Sequence, residues 1–193
     1  MVWRMMAVST VLGVCLASGV AQGAGGTTSS VPPAKAFDSQ LSVIESEMMG
    51  AVKAMSAEKF GFAPSAAIFV PSQPTKFEGV RTFGEQATHV AQANYSFFAI
   101  VGGMKPDVDV KAIGTLTKKE DIVKALGDSF EFAHKAIATI TPENALQLIK
   151  SPEPGIGTRL TLASFGVSHG FDHYGQMVVY LRMNGIVPPA SAR

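Results

Sequence analysis

His169 and His173 lie four positions apart in a segment, roughly Thr158 to Asn184, whose apolar residues recur at helical intervals. Residues at that spacing project from one face of a helix about a turn apart, so two imidazoles there can ligate a single metal ion without bending it. The polar residues continue along the same face. At 100° per residue, Gln176 and Tyr180 fall within about 20° of His169, and Asp172 about 60° away. A polar strip on an otherwise apolar helix is costly to bury unless its members are satisfied, and a shared metal with hydrogen-bonded neighbours would satisfy them. For a His-x3-His pair alone, the rival reading is two partly exposed or hydrogen-bonded histidines.

A third histidine strengthens the metal reading. His89 follows Glu85 by four residues in a different helical segment, flanking a stripe that includes Val90 and Phe97. Facing helices of a bundle build metal sites in this way. Three neutral imidazoles leave at least one coordination position open, the pattern of a catalytic centre and not of a closed structural one. Such a position can take water, whose pKa falls toward neutrality, or a substrate oxygen or thiolate. Zinc or nickel suits this donor set, and iron suits it with an added carboxylate. Asp172, Gln176 and Tyr180 are the candidates to assist the chemistry, Asp172 also as a group that orients an imidazole. His134 reads as a residue at the edge of the core beside Lys135, since three ligands already account for the site. Tyr95 reads as packing, and Gly155-Ile156-Gly157 as a loop with no strand before it to make a phosphate cradle.

Four long helical segments must position these residues. In the first, Phe37, Leu41, Ile44, Met48, Val52 and Met55 step by threes and fours. A loop holding Pro64, Pro71 and Pro74 follows; Ala66 to Val70 is the longest alternating stretch in the chain. The second opens on a capping box, Thr82 with Glu85, carries the stripe Phe83, Ala87, Val90, Phe97 and Val101, and ends at Gly102-Gly103. Another box is expected at Thr117 to Glu120, ahead of the seam Val123, Leu126, Phe130, Ala133, Ile137 and Ile140. Thr141-Pro142-Glu143 predicts a short turn of helix closed by Pro152 and Pro154. Gly185 caps the fourth helix, Ile186 folds back, and Pro188-Pro189 stops it. The expectation is an all-α four-helix bundle without internal repeats.

Residues 1–23 differ from the rest. Arg4 is the only charge before Lys35, Met5 to Leu16 is a short apolar run, and small residues follow from Ala17 to Ala24. This is the pattern of a removable export signal, too short and too polar at Ser9 and Thr10 for a membrane anchor. Residues 24–35 form a Gly/Ser/Thr linker ending in prolines, and 36–193 the domain. Cys15, the single cysteine, falls within the signal; Val14 before it is a poor match to a lipidation motif. Cleavage would leave no cysteine, hence no thiolate ligand, cysteine nucleophile or disulfide. Formal charge is +1 from 16 basic and 15 acidic residues, and losing Arg4 leaves 15 of each sign. With no basic run or stripe, nucleic acid is not an expected partner, and no later stretch is long and apolar enough to span a bilayer.

The stretch from His169 to Pro189, His-Gly-Phe-Asp-His-Tyr-Gly-Gln and onward, resembles the C-terminal signature of the DinB-like superfamily. Thr82 to Val90 resembles the first ligand helix of that family. The resemblance covers roughly Phe37 to Ser191. It implies a four-helix bundle with a three-histidine metal site, here His89, His169 and His173, and a homodimer. It also implies a small-molecule substrate handled by a metal-dependent hydrolase or a thiol-dependent transferase. DNA contact is not implied, in agreement with the neutral charge. An export signal departs from cytosolic thiol-dependent relatives, because intracellular thiols are scarce in the periplasm or elsewhere in the cell envelope. The alternative is a non-catalytic bundle of the envelope that binds or carries a metal or an apolar ligand.

Overall fold

The computed structural model describes residues 30–68 and 75–192. The expected export signal, the linker up to residue 29, and Pro71 and Pro74 lie outside them. Within them the chain forms α1 (Pro33–Ala54), α2 (Phe83–Gly102), the one-turn α3 (Val110–Ile113), α4 (Lys119–Ile137) and α5 (Arg159–Met183). No strand occurs among the described residues; an isolated antiparallel bridge joins Leu148 to Thr158. None of these helices is long and apolar enough to cross a membrane.

The apolar stripes become the core. Leu41, Ile44, Met48 and Val52 of α1 and the whole expected stripe of α2 are buried. On α4 the seam begins at Ile122, which is buried, while Val123 is only partly so. The capping box at Thr82 and Glu85 forms in both directions, and Gly103 and Gly185 adopt the left-handed conformation expected past helix ends, at φ 62° and 74°.

Three local expectations are corrected. α1 starts at Pro33, inside the segment assigned to the linker, because a proline in the first turn lacks only an amide that would be unpaired there anyway. The box at Thr117 to Glu120 does not form: α4 starts one residue later, and Lys119 instead donates to the carbonyls of Lys53 and Met55 at the end of α1 (3.0 and 2.6 Å). Thr141 to Ala145 makes turns tied by Asn144 and no helix. Ala66–Ile68, within the expected loop, forms a single 3₁₀ turn.

α2 packs against α4 and α5, and α1 against the same two helices, so α1 and α2 lie on one diagonal of the bundle and α4 and α5 on the other. Consecutive helices therefore meet side by side only from α2 to α4. The other two connections must cross the end of the bundle, which explains the long segments 55–82 and 138–158. α2 and α5 run antiparallel and are pinned at both ends. Arg159, the first residue of α5, donates to the Val101 carbonyl in the last turn of α2 (2.5 Å), where a cation also opposes the helix dipole. At the other end the Tyr180 hydroxyl donates to the Arg81 carbonyl just before α2 (3.1 Å). Small residues let α5 sit deep. A Cβ on Gly166 would lie 2.9 Å from Phe98 Cζ, and one on Gly170 3.0 Å from Ile44 Cγ1.

His134 is no inert edge residue. Its Nδ1 contacts Asp38 Oδ1 at 2.5 Å and its Nε2 contacts Glu45 Oε2 at 3.0 Å, so one ring latches α4 to two turns of α1. Burial would lower its pKa, but the two carboxylates outweigh it and the net shift is upward from 6.5. A raised folded-state pKa adds stability that is complete below the unfolded value and is lost as pH rises through the folded one. His134→Ala should therefore lower the thermal midpoint more at pH 6 than at pH 9. Equal losses at the two pH values, measured by circular dichroism, would show that the latch is not the charged form.

Candidate metal centre

The polar strip of α5 faces α2 in the middle of the pinned pair. His89 Nε2 and His173 Nε2 each lie 3.2 Å from His169 Nε2. One ligand atom from each ring can be chosen so that all lie within 4.8 Å of one another. Two nitrogens bound tetrahedrally to one ion at about 2.0–2.1 Å sit about 3.3 Å apart, so the observed spacing fits a common ion. His173 is buried, and His89 and His169 are half-buried. Phe97 and Phe165 pack on the His169 ring at centroid distances of 5.5 and 6.2 Å and form the apolar wall of the site.

Burial, then the Arg81 charge and His173, pushes the His89 pKa down to about 4. Burial, then the other two imidazoles, pushes His169 to about 4 against the opposing pull of Asp172. His173 is lowered by burial as well, again opposed by Asp172. All three rings are thus neutral near pH 7, with lone pairs free to ligate.

A chain of side chains sets which nitrogen of His173 carries its proton. Asp172, as a carboxylate, can only accept, and it accepts from Gln176 Nε2 (3.2 Å). That turns Gln176 Oε1 toward Gln86, whose Nε2 donates to it (3.0 Å). Gln86 Oε1 is left to accept from His173 Nδ1 (2.5 Å), which leaves His173 Nε2 as a bare lone pair aimed at the other rings. His169 Nδ1 is buried with no partner, so no such chain fixes that ring.

Of the three residues expected to assist, Gln176 and Asp172 are hydrogen-bonded toward the site through Gln86, and the Asp172 charge also acts directly on His169 and His173. The Tyr180 hydroxyl donates to the Arg81 carbonyl and also hydrogen-bonds with Gln86, so it too meets the site through that residue. Sequence reasoning missed Gln86 and Phe165. The signal for Gln86 was a mirrored spacing, Gln86-x2-His89 on α2 and His173-x2-Gln176 on α5, which antiparallel helices bring into register. His134 stands apart, engaged with α1. On the outer side of His89 an open cleft of about 390 Å³ is lined by Arg81, Glu85, Thr88, Gln92 and Gly114.

The family model of the DinB superfamily matches residues 40–177, from within α1 to near the end of α5, and includes all three histidines. No curated protein matches the chain.

The relay fixes a spectroscopic expectation. In the metal-free protein at neutral pH, long-range ¹H–¹⁵N spectra should show His173 protonated at Nδ1, the less common tautomer of free histidine. Gln86→Ala should release that preference, and an Nε2-protonated His173 in the wild type would break the relay.

Proposed function

Because the chain belongs to the DinB superfamily, we propose that His89, His169 and His173 hold one divalent metal ion and that the protein is a metal-dependent enzyme acting on a small substrate. The observation that carries this is the convergence of three Nε2 atoms from two helices on one point. The charge state supports it too. With His173 Nε2 held bare, only one proton can lie between the three nitrogens, and it cannot give both 3.2 Å contacts a full hydrogen bond. A cation satisfies all three lone pairs together.

A divalent ion held by three imidazoles supplies Lewis acidity at its remaining coordination position. Zinc and nickel both suit the donors. The chain's own residues prepare that position: Gln86 orients His173, Phe97 and Phe165 shield one side of His169, and the cleft beside His89 admits the ligand. Export through residues 1–23 would place the reaction in the cell envelope, where intracellular thiols are scarce. That favours a hydrolase over a thiol-dependent transferase.

Elemental analysis after loading with zinc or nickel tests the site. The wild type should bind one ion per chain, and His89→Ala, His169→Ala and His173→Ala should each lose most of it, while His134→Ala retains it. Gln86→Ala should keep the stoichiometry but weaken affinity by about 10–100-fold. Folded wild-type protein that takes up no metal would overturn the reading.

A further inference from the structure

Arg81 stands at the entrance to α2 and at the edge of the metal centre. It immediately precedes Thr82, the cap of α2, so its guanidinium sits at the positive end of a 20-residue helix, where a cation is disfavoured. It lines the cleft that opens on His89 and is exposed there. Its charge bears on all three histidines, which adds repulsion toward any cation they hold. Among the described residues it makes no salt bridge within 4.0 Å, and the acid that its charge acts on is Glu85, on the same cleft. The nearest acid along α2, Glu85, accepts from the Thr82 amide through Oε2 (2.7 Å) as half of the capping box.

Nor is Arg81 placed loosely. Its carbonyl is held by the buried Tyr180 hydroxyl, which fixes this backbone against α5, the helix that carries the other two histidines. The helix end, the guanidinium and any cation held by the three histidines would each add positive potential at this cleft, against which Glu85 supplies the one carboxylate among its lining residues. An anionic ligand bound in this cleft would be attracted by the guanidinium, by the helix end and by a cation on the histidines together. Gln92, anchored through Nε2 to the Val110 carbonyl (2.9 Å), lines the same cleft and adds a polar wall without adding charge.

We infer that the cleft between Arg81 and His89 binds a small-molecule oxyanion, a carboxylate or a phosphate, and that the substrate of the site carries such a group. The planar guanidinium matches the paired oxygens of either anion, and this anchoring would leave another part of the ligand to face the three histidines. The inference rests on the three-histidine metal reading for its link to catalysis, but the anion site has its own readout.

Titration of the cobalt(II)-loaded full chain with malonate and with inorganic phosphate, followed by the visible cobalt spectrum and by calorimetry, provides the test. One of the two anions should bind the wild type. Arg81→Gln should weaken that binding by about tenfold, the scale of a charge-assisted hydrogen bond, and Arg81→Lys should fall between. Cobalt affinity of Arg81→Gln should equal or exceed that of the wild type, since a repelling charge is removed; a merely structural arginine would instead lower it. A preference for phosphate over malonate, with the same dependence on Arg81, would assign the site to phosphorylated ligands and still support it. Binding of neither anion, or equal binding by Arg81→Gln, overturns the inference. If the wild type takes up no cobalt, the metal reading fails before any anion is added. Amide shifts of residues 81–92 in the metal-free chain then report the anion site, and no Arg81-dependent shift there overturns this inference as well.

Discussion

Three imidazole nitrogens pointing at one place is the constraint around which the rest of the bundle is arranged. Each ring is neutral and partly or fully removed from water, so none can relieve the crowding of lone pairs by taking up a second proton near neutral pH. Keeping them together requires a frame that cannot drift. The antiparallel α2–α5 pair supplies one, tied by Arg159 to Val101 at one end and by Tyr180 to Arg81 at the other. Both ties satisfy backbone carbonyls at or just outside the ends of α2, so they fix the helix along its axis as well as sideways.

The depth of α5 in the bundle matters as much as its register. Gly166 and Gly170 bracket His169 on the faces toward α2 and α1, and side chains there would meet Phe98 and Ile44 at or below 3.0 Å. Interiors packed to crystal-like density do not absorb a methyl group without a shift of backbone. A shift of a few tenths of an ångström is small for stability but large for ligand geometry. The glycines flanking His169 therefore serve the site through helix spacing, with no contact of their own to it.

Much of this was legible in the residues, for reasons that can be named. The faces of α2 and α5 follow from helical periodicity, and the His169–His173 spacing puts two rings on one face whatever the tertiary fold. The capping box at Thr82 was readable because Thr82 and Glu85 satisfy each other within one turn, with no outside partner needed. The same motif at Thr117 to Glu120 failed because Lys119 found a tertiary role, closing the carbonyl end of α1, that no local pattern records. Gln86 was hidden for a related reason. A glutamine on a helix is ordinarily a solvated residue, and only the pairing of α2 with α5 turns it inward to meet Gln176. His134 could be separated from the site by elimination, but its two carboxylate partners lie 89 and 96 residues away and leave no local trace.

The connectivity explains why the site spans so much of the chain. With α1 opposite α2 and α4 opposite α5, the helices that face each other at the histidines are not consecutive, and His89 and His169 are separated by 80 residues. Closing a loop of that size costs more entropy than a local turn, though the cost grows only slowly with length. It must be met by contacts that form with the whole bundle, such as the core around Phe98 and the two end ties. A ligand that binds only the assembled histidines then stabilises the folded chain in proportion to its affinity, because the unfolded chain holds no preformed site. The crowded nitrogens are in this sense a cost of the ligand-free fold, carried by the surrounding packing.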